Sequence, residues 1–299
     1  MTTPRRVFVV GSLHLDVILH APRLPRLDET LIGNSVSYAF GGKGGNQALA
    51  AAQMGASVSM AGRVGDDAFG QQLLDRLDAA HIDRNQVLRC PGASGMSAAI
   101  VDDQGNYGAV VVSAANLSIN PADMAMPAET ALLLLQNEIP EAVNLTLAKA
   151  AQSRGIPVML NAAPARQMSD KSPTLVRHLI LNRIEAQDMT GEHDPTAAAK
   201  ALIARGYGTV IVTLGGDGLL CGTNAGVTSY PGIKVNVIST HGAGDAFTGA
   251  LAARFVSGEP IENAINFAQA AAALHVSTPV DQRANLTSET VAAFQAANR

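Results

Sequence analysis

The chain has 299 residues, 47% of them hydrophobic and 15% charged, which suits one large α/β domain or two small ones and excludes a disordered chain. With a net charge of −4, nothing points to nucleic acid or an anionic membrane as a partner. Two cysteines, Cys90 and Cys221, make no disulfide framework, so reduced thiols in a cytoplasmic protein are expected.

At the N-terminus, TTPRRVFVVGSLHLDVIL places arginines before apolar residues, as a signal peptide does. His14 and Asp16 interrupt that run, so VFVVGSL (7–13) is expected as a buried first strand. Residues 17–40 are turn-rich with β-like alternation. GNQALAAAQMG (45–55) predicts a helix stopped by Gly55, SVSMAGRVG (57–65) a strand, and FGQQLLDRLDAAHI (69–82) a helix with one apolar face. Residues 95–114 read as a hairpin turning around Asp103-Gln104-Gly105-Asn106. ALLLLQNEIP, a helix near 141–154, IPVMLNAAP, HLILNRIEA, a helix near 195–206 and TVIVTLGGDG follow. IKVNVI (233–238) is strand-like and precedes GAGDAF and a helix. Continuous apolar strands between helices imply a three-layer α/β/α fold with a mostly parallel central sheet. No linker divides the chain, so a single domain over 1–299 is expected, with 17–40 and 95–114 forming a small β lid. The alternative is that these two segments are edge strands of the main sheet. No run of about 18 apolar residues is present to span a membrane. The Asn-x-Ser/Thr triplets at Asn116, Asn144 and Asn285 are expected to arise by chance.

Two glycine-rich segments carry the chemistry. In STHGAGDAF, Gly242, Ala243 and Gly244 let a ligand approach the unpaired N–H groups of a helix N-terminus, an anion hole suited to a phosphoryl group. Asp245 then stands in the first turn, as a functional carboxylate or as a plain N-cap. AFGGKGGNQALAAAQMG (39–55) reads as a glycine-rich loop running into a helix, with glycines around Lys43 and Asn46, whose donors and acceptor suit a hydroxyl-rich ligand. Asp16, in GSLHLD at the end of the first strand, is expected to accept from two hydroxyls or to serve as a turn residue. Gly42-Lys43 is followed by Gly44, so no Walker A motif is present, and no G-x-G-x-x-G follows a strand. His81, His178, His193 and His275 have no ligand-like spacing, and no zinc site is expected. Asp188, Asp217 and the Asp102-Asp103 pair read as solvated residues.

GSLHLD, GGKGGNQA, LNRIEA, VTLGGDG and GAGDAF, in this order and spacing, resemble the ribokinase-like carbohydrate kinases, the phosphofructokinase-B family, over essentially the whole chain. NAAPAR (161–166) and QNEIP (136–140) resemble the ribose-phosphorylating branch. The resemblance implies an ATP- and Mg²⁺-dependent transfer of phosphate to a sugar primary hydroxyl, first of all O5 of D-ribose. A nucleoside or a ketose such as fructose is the alternative acceptor, although no Trp, four Tyr and seven Phe offer few stacking partners for a base. The non-enzymatic alternative is a catalytically silent sugar-binding regulator. The resemblance further implies Asp245 as general base and Gly242, Ala243 and Gly244 as anion hole. It implies Asp16, Gly42, Lys43, Asn46 and Glu138 as sugar contacts, with His14 where an Asn is usual. Asn182 and Glu185 match the motif that organises Mg²⁺ and phosphate through water. Thr213, Gly215 and Gly218 match the nucleotide loop, and the helix around Ala270–Leu274 the adenine side. A homodimer through the lids is the implied assembly.

Two departures stand out. The family commonly has Asp-Thr before the anion-hole loop, and that Asp helps hold an activating K⁺. Here the pair is Ser239-Thr240, and TPVDQRANLT (278–287) lacks the usual Gly-Ala-rich turn, so weak or absent K⁺ activation is expected. His241 stands where a small residue is usual, either supporting phosphate charge or as an exposed loop residue.

Overall fold

The computed structural model describes residues 5–104 and 106–298; Gly105, in the expected hairpin turn, lies outside the described residues. The strands are β1 (Arg6–Val10), β2 (His14–Ala21), β3 (Ser35–Gly41), β4 (Ser57–Gly65), β5 (Asp83–Cys90), β6 (Gly95–Asp102), β7 (Tyr107–Val112), β8 (Thr130–Gln136), β9 (Val158–Asn161), β10 (His178–Asn182), β11 (Thr209–Thr213), β12 (Gly218–Thr223) and β13 (Gly226–Pro231). The helices are α1 (Lys43–Gln53), α2 (Ala68–Ala79), α3 (Glu141–Ser153), α4 (Ser172–Leu175), α5 (Arg183–Thr190), α6 (Pro195–Ala204), α7 (Ala243–Ser257), α8 (Ile261–Ser277) and α9 (Ser288–Ala297).

Nine strands form the central sheet in the order β13-β12-β11-β10-β9-β8-β1-β4-β5. From β11 to β5 every pairing is parallel; β12 and β13 continue the sheet antiparallel. The apolar runs of the inner strands are continuous because these strands are covered on both faces, whereas the outer strands β5 and β13 are largely exposed or half-buried. In β1, Val7 and Val9 join a core with α1, α2, α7 and α8, while Phe8 and Val10 join a core with α3 and α6. This is the three-layer α/β/α arrangement expected from the alternation of elements.

A separate four-stranded sheet has the order β3-β2-β6-β7. It begins at His14 rather than residue 17, and β3 ends at Gly41 rather than residue 40. His14 pairs with Gly41 on one side and Gly95 on the other. Asn116 ties this end of the sheet to the β1–β2 turn: it accepts from Leu13 N at 2.9 Å and donates to Leu13 O at 3.0 Å. The Asn116 triplet is therefore buried structure, as is Asn144, which donates to Gln136 O at 2.8 Å.

Two local expectations need correction. IKVNVI is not a strand: β13 ends at Pro231, and residues 232–237 run as irregular chain. Its apolar side chains have another use, because Ile233, Val235 and Val237 line a cavity. The second segment, GGKGG, is not a loop ahead of the helix; α1 already starts at Lys43. A Cβ on Gly44 would lie 2.6 Å from the Gly11 carbonyl carbon, and one on Gly45 2.6 Å from the Phe40 ring. These glycines let the first turn of α1 press against the β1–β2 turn.

Candidate active site

The C-terminal ends of β8, β9, β10 and β11 form one edge, with Gln136 registered against Asn161 and Asn182 against Thr213. Open α/β sheets bind ligands at this edge. Above it, α7 and α1 cross closely. A Cβ on Gly249 would lie 2.5 Å from Ala50 Cβ and 2.6 Å from Gln47 O. That contact sets Gln47 one turn from the start of α7, beside Asp245.

Asp245 is buried, 9% exposed, in the first turn of α7. Gln47 Nε2 donates to Oδ1 at 2.9 Å and Asn46 Nδ2 to Oδ2 at 3.3 Å. Burial raises the Asp245 pKa above the ordinary aspartate value; Lys43, Gln47 and Asn46 oppose that rise and Glu138 adds to it. Gly242 caps α7 at φ 76°, a left-handed conformation that glycine tolerates. The Ala243 N–H is bonded to Thr240 O at 3.2 Å, and the first turn closes with Ala246 N to Gly242 O at 2.9 Å. Among the described residues, the Gly244 and Asp245 N–H groups have no acceptor within the chain. The Gly242 N–H is likewise without an acceptor among the described residues. A Cβ on Gly244 would meet nothing within 4 Å.

A cavity of about 260 Å³ opens in front of these groups. Lys43, Asn182, Glu185, Thr240, Gly244 and Asp245 are among its lining residues. Asn182 and Glu185 form a capping box on α5: Asn182 Oδ1 accepts from Glu185 N at 2.9 Å, and Glu185 Oε2 from Asn182 N at 2.8 Å. The motif therefore has a local structural reason as well as a place at the cavity. Burial raises the Glu185 pKa; the Asn182 backbone and Lys43 pull it down, and Asp188 pushes it up.

A second cavity of about 310 Å³ shares Thr213, Thr240, Ala243 and Gly244 with the first. Gly215 and Gly218 line it on one side, and Gln269, Ala272, Ala273 and Val276 of α8 on the other. The expected nucleotide loop and the α8 segment thus face one apolar slot.

The remaining residues gather at the start of α1. Glu138 accepts from Lys43 N at 2.8 Å and from the Ser12 hydroxyl. Gly42, at φ 83°, has no room for a side chain: a Cβ would lie 2.8 Å from His14 N. Gly41 is similarly held by Asp16, whose Oδ2 would be 2.2 Å from a Cβ there. Asp16 lies not at the end of the first strand but within β2 of the second sheet, and accepts from Ser97 Oγ at 2.5 Å. His14 is buried, and its Nε2 has no hydrogen-bond partner among the described residues. His241 is exposed and lines neither cavity; its carbonyl, not its imidazole, is engaged by the fold.

Sequence reasoning passed over Gln47, Ser12 and Arg283. Gln47 follows Asn46 directly and reads as part of the helix, yet its full burial at a helix crossing marks it as a partner of Asp245. Among the described residues, no three His, Cys, Asp or Glu side chains cluster as metal ligands, and no helix is long and apolar enough to cross a membrane.

Comparisons with known proteins bear on the family and the fold. The model for pfkB family carbohydrate kinases matches residues 4–287. The chain is 33% identical to a ribokinase of Bacillus subtilis (strain 168) over 276 residues, which is 91% of this chain and 93% of that protein. A ribokinase structure from Thermotoga maritima superposes with a TM-score of 0.90 at 28% identity, covering 98% of this chain and 99% of that one. The structure of Arabidopsis thaliana ribokinase complexed with ribose and ATP gives 0.89 at 26% identity, with the same 98% and 99% coverage.

Proposed function

Because the chain belongs to the pfkB family of carbohydrate kinases, we propose that it transfers the γ-phosphoryl group of ATP to O5 of D-ribose, giving ribose 5-phosphate and ADP. The observation that carries this reading is the buried Asp245 carboxylate beside the open N–H groups of Gly244 and Asp245, in a cleft shared with Lys43 and Glu185.

Asp245 takes the proton of the sugar hydroxyl as its oxygen bonds to the γ-phosphorus. The bond from that phosphorus to the β-phosphate oxygen breaks, and ADP leaves with the electron pair. Gln47 and Asn46 hold the carboxylate in place, and Lys43 favours its charged form. The free N–H groups at the start of α7 receive charge from the transferred group. Gly242 permits the turn that aims them, and Ala243 keeps it closed through Thr240 O. Thr213, Gly215 and Gly218 face the nucleotide, with the adenine in the apolar slot against α8. His14, Asp16, Gly42, Lys43, Asn46 and Glu138 hold the sugar hydroxyls.

A hard carboxylate at the cavity wall beside the phosphate path fits Mg²⁺, which takes few protein ligands and keeps its waters. Glu185 would hold it through water with Asn182 alongside, and the ion would neutralise phosphate charge. The second sheet acts as a lid on a single domain spanning 1–299, excluding water from the transfer. Val110, Val111 and Val112 of its edge strand β7 are exposed, which supports a homodimer formed through the lids.

The test is ADP release over D-ribose, 2-deoxyribose, fructose and adenosine, with thermal shifts on the same compounds. D-ribose is expected to give the highest kcat/KM. A higher value for adenosine or fructose would move the reading to that acceptor. Binding of a sugar without ADP release would favour the silent regulator.

A further inference from the structure

Just before α7, one guanidinium gathers three backbone carbonyls. Arg283 lies in the turn Val280–Asn285 after α8 and is 8% exposed. Its Nη2 donates to Ser239 O at 2.8 Å, Nη1 to His241 O at 2.9 Å and Nε to Thr278 O at 3.1 Å. His275 Nε2 lies 3.0 Å from the same His241 carbonyl and 3.1 Å from Nη1. Among the described residues no carboxylate lies within ion-pair distance of this guanidinium.

Carbonyl oxygens converging on one point are the donor set of a cation site. Here a fixed side-chain cation takes up the carbonyls on either side of Thr240. An exchangeable K⁺, which the family resemblance implies near this loop, does not fit the same donors. Ser239 brings no carboxylate, and the Ser239 and His241 carbonyls already accept from Arg283.

The bonded segment leads directly into the phosphate-facing turn. Ile238 N and Ser239 N donate to Val276 O at 2.8 and 3.2 Å, so α8 holds the same strand of chain. A Cβ on Gly242 would lie 3.0 Å from His275 Nε2, so the imidazole packs against the residue whose left-handed turn starts α7. The path from Arg283 to the open N–H groups of Gly244 and Asp245 is therefore short and contiguous.

We propose that Arg283 is a positioning residue that serves as the resident cation of the phosphoryl-transfer site, replacing an exchangeable monovalent cation and fixing the loop 239–242. This rests on the kinase reading above. The guanidinium fork matches separate carbonyls in fixed directions, which a spherical ion does not. It is covalently retained, so the turn needs nothing from the medium.

The experiment measures turnover of the intact enzyme in NaCl, KCl and tetramethylammonium chloride at one ionic strength, for the wild type, Arg283→Ala and Arg283→Lys. The wild type is expected to vary by no more than about twofold among salts, since a bonded side chain does not exchange. Arg283→Ala is expected to lose about 10- to 100-fold in kcat with sugar KM within about threefold, because the transition-state contacts are displaced rather than the sugar site. Added K⁺ or guanidinium is expected to restore several-fold of that loss, which a merely structural role would not allow. Arg283→Lys keeps charge without the fork and is expected to fall between the two. Many-fold activation of the wild type by K⁺ would overturn the inference, as would Arg283→Ala turning over at the wild-type rate or resisting rescue by every cation. If the Ala variant does not fold, the wild-type salt profile and the Lys variant still decide. A K⁺-dependent kinase leaves the kinase reading standing, whereas no ADP from any sugar in any salt removes both.

Discussion

Gln47 Nε2 donates to Asp245 Oδ1 at 2.9 Å, across the crossing of α1 and α7. A fully buried amide on one glycine-rich segment thereby orients the carboxylate of the other. Burial raises the Asp245 pKa, and this donor is one of the groups that restrain the rise. Gln47→Leu is expected to raise that pKa further and to move the acid limb of the kcat profile up by about one pH unit, the size of one charge-assisted hydrogen bond. Turnover measured against pH checks it; an unmoved limb would remove Gln47 from the site.

Asp245 and Glu185 are both raised by burial, so each binds its proton more tightly in the folded chain than in the unfolded one. Stability from such a group is fullest below its unfolded pKa and declines as pH rises toward its folded pKa. Asp245→Asn removes that decline at one position. Its Tm advantage over the wild type is expected to grow between about pH 4 and pH 7, reaching about 2 °C or more. Thermal scans of the ligand-free proteins give the answer, and an advantage that shrinks with pH would contradict the assigned direction.

Glu185 combines a capping role with a place at the cavity. Glu185→Gln keeps the cap, because a Gln side chain still accepts from the Asn182 N–H. The fold and Tm should hold while the Mg²⁺ concentration for half-maximal turnover rises about tenfold. Unchanged Mg²⁺ dependence would confine Glu185 to capping.

His14 buries an Nε2 that has no partner among the described residues, at the junction of the two sheets. His14→Leu keeps the bulk and removes the nitrogen. Sugar KM is expected to rise about fivefold, the value of one hydrogen bond, with kcat nearly unchanged. A lower Tm with an unchanged KM would assign His14 to packing alone.

The layered fold was legible because burial on both faces writes itself as unbroken apolar runs such as ALLLLQ and TVIVT. IKVNVI carried the same local signal but lines a cavity instead, and periodicity cannot tell a sheet neighbour from a ligand slot. GGKGG looked like an open loop, whereas its glycines serve close packing of α1 on the turn at Gly11 and Ser12. Asp245 and Lys43 stood out in the sequence because each lies in a glycine-rich segment that strips away neighbouring side chains, whereas Glu185 was singled out only by the resemblance of LNRIEA to the family's motif. Gln47 and Arg283 were not, since their partners lie 198 residues away in Asp245 and 44 residues away in Ser239.

The central claim is that Asp245 is the base. The most direct measurement is kcat of Asp245→Asn with D-ribose and ATP, alongside equilibrium binding of both ligands. Turnover is expected to fall by about 10³-fold or more, within the range general-base removal produces, with both dissociation constants within about threefold of wild type. Turnover within tenfold of the wild type would contradict the account, since general-base removal costs at least about 10²-fold.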